Sequence, residues 1–296
     1  MKTQEANRRG QGCDLLVDRR ALIAGVLAAG LLGSCSGPAD RSSRRDLRTF
    51  LAIKRFPESV AVLGEVRLPH SLSLDAEFVS DGPLELGAQV FDLDGNAATS
   101  GLSATRRDVA PSSYDAWRAT IDSPGFYVLV IDGADPGGSA FQVFADDAVS
   151  VSLVGSALEG FDTPRFDEPG GLDPICTRDP VCPFHTVTLS DALLDVDRGV
   201  VYLVGTPAFC DTGTCTPGLE ALIAVADDFA DDFVFVHAEV YTDLTTTELS
   251  PAVEALGVQF EPVLFVADWT GVILHRLDAI WNDSELRDTL SSVQAS

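Results

Sequence analysis

Residues 200–215 leave this chain few choices of fold. The uninterrupted apolar run Val200-Val201-Tyr202-Leu203-Val204 is of strand length and rich in valine, which fits a central parallel strand covered on both faces. Gly205 and Pro207 end the run, and the chain then delivers Cys210 and Cys215 to the start of a helical pattern. At a helix N-terminus the unpaired N–H groups and the helix dipole stabilise a thiolate, the form that attacks disulfides, peroxides and metals. In a continuous helix residues five apart point about 140° away from one another. A direct bond between the two sulfurs therefore needs Cys210 in the loop and Cys215 in the first turn, with Gly213 relieving the backbone between them.

The downstream sequence continues an alternation of helices and strands. Leu219, Leu222, Ile223, Ala226 and Phe229 recur at near-helical spacing over residues 217–230, with Glu220, Asp227 and Asp228 on the other faces. A second apolar strand is predicted over 233–240. Ser250-Pro251 opens a short helix that closes at Gly257. A third strand follows over 260–268 with Pro262 near its entrance, where a residue without an N–H is tolerated. A turn at 268–271, a strand over 272–277 and a final helix from about Asn282 complete the pattern.

On these features, residues from about 186 to 295 resemble the thioredoxin fold. The points of resemblance are the strand-loop-Cys segment, the Glu261-Pro262-Val263-Leu264 segment and the closing hairpin plus helix. Thioredoxin-like proteins carry a cis-proline facing their cysteines, and the resemblance assigns that place to Pro262. It implies thiol–disulfide exchange, with Cys210 attacking a partner disulfide, Cys215 resolving the mixed disulfide and Pro262 shaping the substrate groove. Thr206, Pro207, Thr212 and Thr214 surround the pair as supporting residues. The implied partner is a thiol or disulfide protein substrate, and no cofactor is called for. Thioredoxins space their cysteines Cys-x-x-Cys, whereas four residues separate Cys210 from Cys215 here.

Three other readings of the same loop stay open. Asp211-Thr212-Gly213-Thr214-Cys215 is similar to the Thr-x-x-Cys element of peroxiredoxins, which would make Cys215 the nucleophile and Arg276 the candidate activating arginine. Sco-like copper chaperones carry two cysteines in this loop and a distant histidine, for which His237 and His275 are candidates; a lone histidine on a strand is more often structural. A thioredoxin fold reused for binding, its cysteines locked in a stable bridge, is the non-catalytic alternative.

The N-terminus supplies the compartment. Arg8, Arg9, Arg19 and Arg20 precede the apolar run 21–32, too short for a standard membrane span and suited to a signal-peptide core. Leu32-Gly33-Ser34-Cys35 resembles a bacterial lipobox, which implies lipidation at Cys35, and residues 18–23 resemble a twin-arginine export motif. The expected product is an exported protein, lipid-anchored to the cell membrane on its extracytoplasmic side, in the periplasm or at the outer face. The formal net charge of −25 excludes nucleic acid as a direct ligand.

The expected organisation is a signal peptide over 1–34, a polar tether over 35–46, a first domain over 47–156, a connector over 157–185 and a thioredoxin-like α/β domain over 186–296. In the first domain short apolar runs at 59–63, 84–93, 117–121, 126–131 and 140–144 are separated by Asp-Gly and Pro-Gly turn signals. That spacing predicts an all-β, immunoglobulin-like sandwich without a catalytic cluster. The connector is rich in Pro, Gly and Asp and should be an extended loop. With Cys13 and Cys35 in the leader and lipid anchor, Cys176, Cys182, Cys210 and Cys215 remain, and four cysteines allow three connectivities. Local closure costs least entropy, so a structural Cys176–Cys182 bridge beside Cys210–Cys215 is the preferred set. Electron relay is a second reading of the connector pair. Metal binding by Cys182 and His185 is the weakest, and no metal ligand is nominated.

Overall fold

The computed structural model describes residues 50–110 and 112–294. The expected leader, lipobox and tether lie outside the described residues. Within those residues the fold is β-rich, with three open four-stranded sheets and a few short helices. None of the described helices is long and apolar enough to cross a membrane.

The first eight strands form two antiparallel sheets. β2 (Gly64–Leu74) pairs with β1 (Leu51–Lys54) along its second half, with β6 (Asp115–Ile121) along its first, and with the short β3 (Glu77–Phe78) at its end. The other sheet runs in the order β5 (Leu102–Thr105), β4 (Glu85–Asp92), β7 (Gly125–Ile131), β8 (Ser139–Val143). Alternation fixes which face goes inward: Trp117, Ala119 and Ile121 of β6 and Tyr127, Leu129 and Ile131 of β7 are buried, with more exposed residues between them. Trp117 Nε1 crosses between the sheets to donate to the Leu86 carbonyl at 3.1 Å. These sheets form the expected β-sandwich.

Two expectations, one for the sandwich and one for the connector, need correction. Residues 59–63 do not form a strand; they make only the isolated bridge of Val62 to Phe144, because Gly64 at φ +93° turns the chain there. The long strand begins only at Gly64 and carries Pro69 and His70 within it, paired with Ala116 and Asp115. The connector is irregular as expected but not loose, since Leu172, Cys176, Cys182 and Phe184 are buried and Phe161 stands edge-on to Tyr202.

The third sheet runs β10 (Phe233–Ala238), β9 (Gly199–Val204), β11 (Val263–Ala267), β12 (Ile273–Asp278), with β10 parallel to β9 and the other pairs antiparallel. All six residues of β9 are buried, as a strand covered on both faces requires. Val201 and Leu203 point into a cluster with Leu219, Leu222 and Val225 of α2 (Cys215–Ala226) and Leu286 and Leu290 of α4 (Asp283–Gln294). Val200, Tyr202 and Val204 point the other way, into a cluster that continues through Val151 and Leu158 to the sandwich residues. Two small helices, α1 (Leu189–Ala192) and α3 (Pro251–Ala255), flank the sheet; Thr188 caps the first by accepting from Asp191 N at 2.9 Å.

A buried ion pair joins the two halves. Arg67 of β2 reaches Glu285 of α4 at 2.7 Å, with side chains 8% and 4% exposed. Arg67 also donates to the carbonyls of Asp278 and Ile280, and the Tyr114 hydroxyl donates to Glu285 at 2.5 Å.

Candidate functional site

The loop after β9 places its cysteines where the residues between them allow. Gly213 takes φ +68°, a left-handed turn that folds residues 210–214 back on the start of α2. Cys210 stays in the loop, half-buried, and Cys215 becomes the first residue of the helix, 1% exposed. The two form a disulfide with Cα atoms 5.9 Å apart, within the usual range.

Their surroundings differ. Cys210 Sγ accepts from the Cys215 backbone N–H at 3.2 Å and lies 3.1 Å from the Thr212 hydroxyl, which in turn meets Thr214 at 2.7 Å. A helix-terminal N–H and a hydroxyl around one sulfur favour its anionic form. Cys215 Sγ instead lies 3.5 Å from the Glu261 carboxylate. Burial raises the Glu261 pKa to about 7, helped by the neighbouring charges of Glu239 and Asp211 and opposed by the Thr206 N–H, which donates to the same carboxylate at 2.5 Å. Once the bridge is reduced, a carboxyl poised near neutrality beside the Cys215 sulfur is suited to exchanging a proton with it.

The Glu261–Pro262 bond is cis. Pro262 lies across from the cysteines: a Cβ placed on Gly205 would be 3.2 Å from Pro262 Cβ and 3.7 Å from Cys215 Sγ. Of the supporting residues, Thr206 accepts from Val240 N–H through its hydroxyl, and the Pro207 carbonyl accepts from Thr216. A cavity of about 210 Å³ opens beside the loop, lined by Thr212, Thr214, Phe260 and Glu261 and, from the sandwich, by Lys54 and Phe56.

No protein-family model and no curated protein matches this sequence.

The connector cysteines depart from expectation. Cys176 and Cys182 are free thiols rather than a disulfide. Their sulfurs turn toward an imidazole, lying 3.9 and 3.4 Å from His237 Nδ1. His185 Nε2 approaches the same nitrogen at 3.2 Å, and the four ligand atoms all lie within 4.8 Å of one another. The chain reaches this arrangement through the edge of the sheet: the backbone N–H of His237 in β10 donates to the Phe184 carbonyl, which sets His185 beside His237. Hydrogen bonding with Cys182 and with both imidazoles draws the Cys176 pKa down against the effect of burial, and Cys182, hydrogen-bonded to Cys176 and buried, is pushed up. One sulfur thus takes the negative charge ahead of the other.

The histidine and arginine candidates fall elsewhere. His237 faces the connector cysteines, and His275 is bonded to Ser292 at 3.0 Å. Arg276 is engaged by Asp278 and by the carbonyls of Ser152 and Val60. Sequence reasoning also missed Glu261 and Glu239. The first was legible only as the residue before Pro262, and the second follows His237 by two on the same strand.

Proposed function

We propose that this chain is a thiol–disulfide oxidoreductase whose C-terminal domain, residues 186–296, is thioredoxin-like and which acts outside the cytoplasm, tethered through Cys35. The observation that carries the reading is the unequal environment of the cysteine pair. Cys210 is half-exposed and faces a helix-terminal N–H, whereas Cys215 is buried against a carboxylate. This division suits an attacking and a resolving thiol.

In the reductive direction the Cys210 thiolate attacks one sulfur of a substrate disulfide, forming a mixed disulfide and releasing the other substrate sulfur as a thiolate. Glu261 takes the proton from Cys215. The Cys215 thiolate then attacks Cys210 Sγ, closing the Cys210–Cys215 bridge and releasing the second substrate thiolate. Two electrons pass from the dithiol to the substrate, and the reverse sequence oxidises a substrate dithiol. The cavity beside Thr212 and Phe260 holds the substrate segment, so the sandwich contributes one wall of the groove through Lys54 and Phe56.

Trapping tests this reading. Cys215→Ser should accumulate a mixed disulfide through Cys210 with a disulfide-bearing protein substrate, resolved by reductant, and Cys210→Ser should accumulate none. Equal trapping by both variants, or by neither, would leave the bridge as a structural one on a binding module. Loss of peroxide consumption in Cys215→Ser, with the first oxidation intact in Cys210→Ser, would instead assign the peroxidase role.

A further inference from the structure

We propose that Cys176, Cys182, His185 and His237 form a closed tetrahedral zinc site that fastens the 157–185 connector to the C-terminal sheet. At Zn–S distances of about 2.3 Å and Zn–N distances of about 2.0–2.1 Å, a tetrahedron separates two nitrogens by about 3.3 Å and a nitrogen from a sulfur by about 3.6 Å. The corresponding separations here are 3.2 Å between the imidazole nitrogens and 3.4 and 3.9 Å from His237 Nδ1 to the two sulfurs.

The histidine tautomer agrees. His237 Nε2 lies 2.8 Å from the Gly205 carbonyl, which can only accept, so Nε2 carries the hydrogen and the Nδ1 lone pair faces the cluster. A backbone carbonyl holding the far nitrogen is the usual outer partner of a metal-bound imidazole. His185 presents Nε2 inward, while its Nδ1 is buried and has no hydrogen-bond partner among the described residues.

Charge and access select the metal and its role. Two thiolates and one Zn²⁺ are together neutral, which suits residues that are all 2% exposed or less. Two sulfurs and two imidazole nitrogens in a tetrahedron are a zinc donor set. Four protein ligands leave no open position, so the role is structural. On binding, the metal displaces the two thiol protons to solvent and no electron moves.

The site would also brace the redox loop. His237 holds the Gly205 carbonyl, and Thr177, next to Cys176, accepts from Ala208 N–H at 3.1 Å while its own N–H donates to Glu239 at 2.7 Å. The links to Gly205 and Ala208 end in the segment that carries Cys210.

The test uses the full chain, purified under reductant and equilibrated with Zn²⁺, then with Co²⁺. One zinc per chain should survive gel filtration, and the cobalt form should show the absorption of a tetrahedral site with two thiolates. Cys182→Ser should lower bound zinc at least tenfold, whereas a Cys210→Ser, Cys215→Ser double variant should keep one equivalent and the cobalt spectrum. Should Cys182→Ser fail to fold, the spectrum of that double variant decides alone. A chain that binds no zinc, with Cys176 and Cys182 either freely alkylated or bonded to each other, would overturn the proposal. So would a double variant that loses its metal, since the ion would then belong to Cys210, Cys215 and Glu261.

Discussion

Burial raises the Glu261 pKa from an ordinary 4.5 to about 7, and Glu239 and Asp211 add to the effect, so this carboxyl holds its proton well above the usual carboxylate range. Between pH 4.5 and 7 the folded chain therefore binds a proton that the unfolded chain has lost, and this group makes stability fall as pH rises through that window. Glu261→Gln should flatten that segment of the stability profile, as measured by urea unfolding at several pH values. The same substitution should slow resolution of the mixed disulfide by about 10²-fold and remove its inflection near pH 7, because the general base is gone. A resolution rate with an unchanged pH profile would show that Cys215 loses its proton elsewhere. Glu261 itself was hard to read in advance, since its chemistry comes from Thr206 and Cys215, 55 and 46 residues away. The connector cysteines were misread for a related reason. Local spacing favours the bridge between residues six apart, but the decisive partner, His237, arrives on a strand more than fifty residues downstream. The one available signal was Cys182 and His185 three apart, and alone it says little.

At the level of elements, the helix that carries Cys215 is useful only if its first N–H groups point at Cys210, and Gly213 makes that possible. Gly213→Val places a β-branched side chain at φ +68°, a strain of about 1–3 kcal/mol. Cys210 in the reduced variant should then lose part of its N–H stabilisation and ionise at higher pH, which the pH dependence of its alkylation rate reports. An unchanged alkylation profile would remove the helix terminus from the account. The elements of residues 199–294 were largely legible because each couples a buried apolar run to a turn signal: β9 before Gly205 and Pro207, β11 after Pro262, β12 after Gly271. In the sandwich the short strands β6, β7 and β8 were visible through two-residue alternation. β2 was not, because Arg67, Pro69 and His70 interrupt its apolar pattern, and their burial depends on Glu285, β6 and Ser139 rather than on the strand's own sequence.

For the whole molecule, the consequential feature is the charged contact buried between the sandwich and α4. Burial alone would push the Glu285 carboxyl up, but the Arg67 guanidinium and the Tyr114 hydroxyl outweigh it and hold the pKa below the ordinary 4.5. A depressed carboxyl contributes stability that is present above about pH 4.5 and is lost as pH falls through the folded value. Arg67→Met should cost about 3–5 kcal/mol at neutral pH, because it leaves Glu285 buried and unpaired, and should weaken the acid-induced loss of stability. Urea unfolding at pH 7 and pH 3 measures both effects. A cost under about 1 kcal/mol would mean that the pair behaves like an exposed one and does not hold the halves together. Since Lys54 and Phe56 reach the cavity beside the Cys210–Cys215 loop from the sandwich side, on the proposed function loosening this contact should also slow exchange with a protein substrate more than with a small disulfide.

The most direct measurement of the central claim is a redox equilibrium of the intact, folded chain. The protein is equilibrated across graded thiol–disulfide buffers, quenched by alkylation, and the Cys210–Cys215 bridge is scored by mass spectrometry while circular dichroism follows the fold. A bridge that exchanges with substrates should open and close reversibly in the native state, at a potential above the roughly −300 mV below which structural bridges of secreted proteins lie. If the bridge opens only together with unfolding, the pair is structural and the oxidoreductase reading is wrong.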